Sequence, residues 1–354
     1  MSVIITGTGS YIPEQVIKNT DFLDHEFYTA KGERILQGNE EIIDKFRKIT
    51  GITERRYANP DQQTSDIATI AAQRALAESN TDPETLDGII MAQNFGNIPS
   101  GTIQTDTVPN LAARVKYNLK IKNPDCIAFD ILYGCPGWIQ GVIVAEQYIK
   151  AGNGSRFLVI GAEMLSRVVD PHDRDSMIFS DGAAATIVER SSDDNRGILA
   201  SVSQTYTYEE AYFLYFDHSL KQGYTPDTRY IRMLGPKIYE FALLNVPAAM
   251  KKCLDKAGVS IQDVKKVFIH QANEKMDHAI LERFYTLYDI TQLPDDIMPM
   301  SIHFLGNSSV ATIPTLYDIV RKGGYPEHQL NKGDVILFAS VGAGMSVNAI
   351  AYKY

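Results

Sequence analysis

Residues 130–141 read "DILYGCPGWIQG", a cysteine set between two glycines and followed by a proline. An apolar strand-like run, "CIAFDIL" (126–132), precedes the cysteine, and an apolar helix-like run, "WIQGVIVAEQYI" (138–149), follows it. Strand, sharp turn and helix in that order form the repeating unit of an α/β protein. Pro136 suits the first helical position, where a missing N–H costs nothing. Cys135 is then expected at a helix N-terminus, whose dipole and free N–H groups favour an anion and lower a thiol pKa. Gly134 and Gly137 clear space for the turn and for a substrate. The helix is apolar nearly all round, so it is expected to be buried, with the thiol deep and reached through a tunnel. A packed core cysteine is the alternative reading.

The same alternation continues on both sides. Strand-like runs at 3–9, 86–93 and 156–163 are separated by helix-like runs at 64–79 and 111–119, and "DGAAATIVE" (181–189) closes the first half. The segment 94–110 is polar and too long for a tight connection, which points to a role in lining a site. "RSSDDNRG" (190–197) is the best boundary, dividing the chain into halves at 1–190 and 197–354. The second half repeats the pattern, with a long helix at 235–258 that Pro247 is expected to kink. Seventeen residues separate Cys135 from Gly152, and sixteen separate Asn307 from Gly323, each stretch running from a turn through a helix into a strand. The match suggests a duplicated unit whose two helix starts meet at the centre. Chance likeness between two α/β units is the alternative.

Composition narrows the function. With 354 residues the chain suits two fused cores, and 44% hydrophobic with 22% charged residues is ordinary for a globular protein. A net charge of −9 argues against nucleic acid as the main partner. No run of apolar residues is long enough to span a membrane, and "MSVIITGTGSYIP" lacks the basic start of a signal peptide, so a cytoplasmic, membrane-free protein is expected. Three cysteines, an odd and sparse set, speak against a disulfide framework. Neither CxxC nor HExxH occurs, so no metal site is expected.

Other groups stand out. His270 ends the strand-like "VKKVFIH", where sites of α/β proteins gather, although a lone histidine there is more often structural. Asn307, in "LGNSS", heads the second-half helix, either as a plain N-cap or as a partner placed opposite Cys135. "SVGAGMS" (340–346) and "GTGSY" (7–11) are glycine-rich but lack the helix of a dinucleotide fingerprint. Their glycines are read instead as letting a backbone N–H approach an oxyanion.

Taken together, "TGITERR" (50–56), "GCPGW", "VIGAEMLSRVVDPHDRDSMIFSDGAAATIV" (159–188), "HQAN" (270–273), "GNSS" (306–309) and "GAGM" (342–345) resemble the β-ketoacyl-acyl-carrier-protein synthase III family of thiolase-like condensing enzymes, in the family's order across nearly the whole chain. The resemblance implies a five-layered αβαβα fold of two duplicated halves, usually a homodimer. It implies Cys135 as the acyl-accepting nucleophile, with His270 and Asn307 completing a catalytic triad, and an oxyanion hole made by Cys135 and Gly344. The expected reaction transfers an acyl primer to the thiol, then decarboxylates malonyl-carrier protein and condenses the two, which starts fatty-acid synthesis. Neutral His270 and the Asn307 amide would donate hydrogen bonds to the thioester oxygen of the enolate. No cofactor is implied, since coenzyme A thioester and phosphopantetheine enter as substrates.

Departures from the family's pattern bear on the substrate. Lys45 and Ile49 replace the tryptophan and arginine that usually enclose the adenine of coenzyme A. Arg174 and Asn273 match substrate-binding positions, and the bulky Tyr133 and Trp138 are expected to shape the acyl pocket. The acidic acyl carrier protein is expected to dock on basic residues: Lys275, Arg283 and the Lys251, Lys252 and Lys256 cluster. An enzyme of a specialised lipid or polyketide pathway with a non-acetyl primer, acyl-CoA or carrier-borne, is a second reading. A non-catalytic partner subunit is a third.

Overall fold

The computed structural model describes residues 2–354. The first half runs β1 (Ser2–Tyr11), β2 (Gln15–Lys18), α1 (Asn39–Thr50), β3 (Glu54–Tyr57), α2 (Thr64–Glu78), β4 (Gly88–Ala92), α3 (Leu111–Asn118), β5 (Ile127–Ile131), α4 (Gly137–Lys150), β6 (Arg156–Met164) and β7 (Asp181–Ser191). The second runs β8 (Gly197–Thr205), β9 (Leu214–Asp217), β10 (Tyr230–Met233), α5 (Gly235–Ala257), β11 (Val264–Ile269), α6 (Glu274–Thr286), α7 (Ile302–Leu305), α8 (Thr312–Arg321), β12 (Val335–Gly342) and β13 (Ser346–Lys353).

Two sheets carry the molecule. One has the order β1-β7-β6-β4-β5 and the other β11-β12-β13-β8. Each mixes parallel and antiparallel pairs: β4 runs parallel to β5 and β6, and β11 parallel to β12, while β7 and β13 run against their neighbours. Strands covered on both faces read as continuous apolar runs, which is why β4 and β6 are buried along nearly their whole length.

Helices fill three layers around these sheets. Alanine-rich α2, with Ala68, Ala71, Ala72 and Ala75, lies close on the outer face of the first sheet with α3. Gly7 and Gly9 of β1 make that approach possible: a Cβ on Gly9 would stand 2.4 Å from the Ala75 nitrogen. The "GTG" glycines are therefore packing glycines, not oxyanion donors. α4 and α8 lie between the sheets, joining Trp138, Ile139, Val142, Leu316 and Tyr317 to Phe268 and Phe338 of the second sheet. α5 and α6 cover the second sheet's outer face. The result is the thiolase-like αβαβα stack, with a central helix from each half.

Several elements differ from the sequence reading. α5 runs unbroken through buried Pro247. Helix α1, the β2–β3 pair and the short β9–β10 hairpin were not expected; their apolar residues are too few or too irregularly spaced for a periodic signal. Asn307 does not head a helix. A 3₁₀ turn over Ser309–Ala311 follows it, and α8 begins only at Thr312.

Candidate active site at the centre of the two halves

Cys135 sits between the end of β5 and the start of α4, after Gly134 in the left-handed region (φ 65°). The glycine is required there, since a Cβ would lie 2.7 Å from the Ala343 nitrogen of the other half. Gly342 makes the reciprocal approach: its Cβ would come within 2.5 Å of the Cys135 nitrogen. The two halves thus touch backbone to backbone at the nucleophile turn. The Cys135 Sγ accepts a hydrogen bond from Ser309 Oγ at 3.3 Å. Burial pushes the thiol up to about 11, against the lowering from the Ser309 hydroxyl. The expected net lowering by the helix N-terminus is overridden by desolvation, so the resting thiol is protonated.

His270 follows β11, and its N–H donates to Ala339 O of β12 at 3.0 Å. Its Nδ1 lies 2.8 Å from Thr312 Oγ1, while that hydroxyl donates to Ser309 O at 3.0 Å. A hydroxyl has one hydrogen, so the imidazole proton resides on Nδ1 and Nε2 is the bare lone pair. Burial lowers the ring to about 4 and keeps it neutral. The resting ring therefore accepts at Nε2, and donation to an enolate oxygen would call for the other tautomer. Asn307 receives the Ser309 N–H on its Oδ1 at 2.8 Å, which leaves Nδ2 as the donor end of the amide.

Cys135, His270 and Asn307 line one cavity of about 180 Å³. Its other walls are largely apolar, with Phe95, Leu165, Phe179 and Met345 around the nucleophile and the β9–β10 hairpin contributing Leu214, Phe216, Ile231 and Met233. Phe95 and Phe216 meet ring to ring with centroids 5.2 Å apart. Such a space suits an aliphatic chain attached to a reacting thioester.

Two further residues, missed in the sequence, hold the nucleophile turn. Asn94 accepts the Gly134 N–H on Oδ1 (3.0 Å) and donates from Nδ2 to Glu163 Oε2 (2.6 Å) and to Ser309 Oγ (3.3 Å). Glu163 is 1% exposed, and burial pushes its carboxyl up to about 8. Both lie in stretches already singled out, the 94–110 segment and "VIGAE". Neither residue type announces itself there, because only the fold brings 94, 163 and 309 together.

The remaining expected residues divide. Trp138 does not shape the pocket: it is 1% exposed, donates to Thr186 Oγ1 at 3.2 Å and packs against Phe338. Its helical position faces the second sheet, where an aromatic ring fills the core. Tyr133 is half-buried, lies off the cavity wall, and its hydroxyl meets Thr205 Oγ1. Asn273 spends its Oδ1 capping α6 through the Met276 N–H. Arg174 is exposed and outside the cavity. Gly344 lies in the left-handed region and off the cavity wall, on which its neighbours Gly342 and Ala343 stand. Lys275 and Arg283 are exposed on α6. Lys251 pairs with Asp255, and Lys256 donates to Ser201 O. Lys45 and Ile49 are exposed on α1. No helix among the described residues is long and apolar enough to cross a membrane.

The duplicated αβαβα fold is that of the thiolase-like condensing enzymes, which are transferases, and in this chain a cysteine, a histidine and an asparagine line its central cavity. Within that class the chain belongs to the family described as 3-Oxoacyl-[acyl-carrier-protein (ACP)] synthase III, whose models match residues 129–207 and, for the C-terminal part, 254–354. Beta-ketoacyl-acyl-carrier-protein synthase III of Aquifex aeolicus is 34% identical over 100% of this chain and 100% of its own. The enzyme of that name from Caldanaerobacter subterraneus is 33% identical over 99% of this chain and 97% of its own. The crystal structure of the Aquifex aeolicus synthase superposes with a TM-score of 0.82, covering 99% of this chain and 100% of that one. The Thermus thermophilus synthase gives 0.82 at 28% identity, covering 99% of both chains.

Proposed function

We propose that this chain is a priming β-ketoacyl synthase that loads an acyl group on Cys135 and condenses it with malonyl-carrier protein. The observation that carries the reading is the convergence of Cys135, His270 and Asn307 on one apolar cavity. In the first step the sulfur attacks the primer thioester. The His270 Nε2 lone pair takes the thiol proton and passes it to the departing thiol, so a new C–S bond replaces the old one. In the second step the malonyl C–CO₂ bond breaks and the enolate carbon attacks the acyl-cysteine carbonyl, releasing the Cys135 thiolate, which then takes up a proton. Asn307 Nδ2 donates to the enolate oxygen. His270 donates there too once the Thr312 hydroxyl turns from Ser309 O to Nδ1 and the ring proton moves to Nε2. The N–H groups of Cys135 and Ala343 serve the tetrahedral oxyanion.

The exposed Lys275 and Arg283 on α6 suit an acidic carrier protein. The exposure of Lys45 and Ile49, with Arg174 outside the cavity, favours a primer selected without an adenine clamp and so a specialised, non-acetyl substrate. A homodimer is supported by the open edge at β5, where Ile127 is 40% and the adjoining Leu132 67% exposed. A panel of acyl-CoA and acyl-carrier primers with malonyl-carrier protein tests the assignment. Mass spectrometry should find the primer on Cys135, and absence of an adduct with every donor would mark a non-catalytic partner subunit. Efficient use of acetyl-CoA would remove the specialised reading.

A further inference from the structure

We propose that Ser309 is a further catalytic residue, its hydroxyl donating to the Cys135 sulfur as thiol, as attacking nucleophile and as released thiolate. The inference rests on the reading of Cys135 as nucleophile and names the group that stabilises its charge.

The direction of the hydrogen bond follows from its neighbours. Asn94 Nδ2 reaches Ser309 Oγ at 3.3 Å, and an amide nitrogen only donates. The Asn94 amide has one orientation, because the Gly134 N–H must meet its oxygen at 3.0 Å and the Glu163 carboxyl accepts from its nitrogen at 2.6 Å. Ser309 Oγ is thus occupied as an acceptor, and its single hydrogen points along the 3.3 Å contact to Sγ.

The backbone of Ser309 agrees. Its φ is 52°, in the left-handed region that a residue with a side chain rarely adopts. Such strain persists where the surroundings over-determine a conformation, as at active sites. Here it aims three groups at once. The hydroxyl meets Cys135, the N–H meets Asn307 Oδ1 at 2.8 Å, and the carbonyl accepts from Thr312, which holds His270. One residue therefore touches the nucleophile and, through its main chain, positions both partners. In the acyl-transfer step Ser309 keeps its proton; it lowers the energy of the sulfur anion that burial disfavours.

The test is the pH dependence of Cys135 alkylation by iodoacetamide in the full chain. Ser309→Ala removes the hydroxyl and keeps the main-chain contacts; Ser309→Gly does the same and relieves the left-handed strain, so it covers a folding failure of the first. Both variants should alkylate about tenfold more slowly than wild type at pH 8, with the midpoint moved up by about one pH unit. An unchanged or lower midpoint in a folded Ser309 variant overturns the proposal. Alkylation needs no acyl donor, so this outcome is independent of whether the chain condenses any primer.

Discussion

His270 Nδ1 and Thr312 Oγ1 lie 2.8 Å apart, and the onward bond from Thr312 to Ser309 O puts the ring proton on Nδ1. The histidine thus waits as a neutral base, with a hydroxyl behind it that has two acceptors to choose between. Thr312→Val removes that choice and leaves a buried ring nitrogen unpaired. Malonyl-carrier decarboxylation should fall about a hundredfold, the lower range for lost acid–base assistance. Decarboxylation at the wild-type rate would show that the tautomer is set elsewhere.

The two half-reactions should separate by residue. Cys135→Ala removes the acyl acceptor, and no condensation product should form. Asn307→Ala should still take up the primer, read by mass spectrometry, while decarboxylation drops about 10²–10³-fold through loss of one enolate donor. Loss of acylation in a folded Asn307 variant would place the amide in the first step instead.

Glu163 couples pH to stability. Its folded pKa, about 8, stands above the ordinary 4.5. Its contribution is therefore full below about pH 4.5 and is lost as pH rises through 8, when a buried carboxylate must ionise. Wild type should be less stable at pH 9 than at pH 6 by on the order of a few kcal/mol, and so melt at a lower temperature. Glu163→Gln keeps an acceptor for Asn94 and should abolish that component. It should also lower the Cys135 alkylation midpoint at high pH, since the Glu163 charge raises the thiol.

Asp277 offers a gain in stability. It lies fully buried on α6, its carboxyl has no side-chain partner and at best a weak approach to the Asn273 backbone, and burial, with the Glu274 charge, holds its pKa well above 3.8. The sign is the same as for Glu163: stability is lost as pH rises. Asp277→Leu replaces an unsatisfied polar group by an apolar one and should stabilise by about 1–3 kcal/mol at pH 8. Thermal unfolding measures this, and a lower melting temperature would reveal a partner for the carboxyl.

Chain-length preference should respond to the cavity wall and not to the tryptophan beside the nucleophile. Phe95→Ala opens the contact with Phe216 and should shift preference toward longer primers in a competition assay. Trp138→Phe should leave that preference unchanged and lower the melting temperature, because the indole fills the inter-sheet core. A changed primer profile in Trp138→Phe would return the residue to the pocket.

Much of this molecule is written locally. The alternation of apolar strands with longer helical runs, the "GCPGW" turn and the matched spacing after Cys135 and Asn307 determine a duplicated α/β protein, because periodicity and turn chemistry act over a few residues. Cys135, His270 and Asn307 were legible through the resemblance of their short motifs to the family's, each motif lying at the end of a strand or turn, while local pattern alone left each open to a structural reading. The site's support was not. Ser309, Thr312, Asn94 and Glu163 matter through hydrogen bonds that span up to 215 residues of chain, and no local pattern encodes such a meeting. Tertiary structure also decided which side of the balance prevailed. A helix N-terminus lowers a thiol, yet desolvation of this half-buried residue raises it to about 11, since desolvation depends on everything packed around the sulfur. The same dependence placed Trp138 in the core and off the cavity wall. The sequence by itself pointed to the fold and to the three side chains that line the central cavity; only the packing of the two halves decided their protonation, their orientation and the residues that hold them.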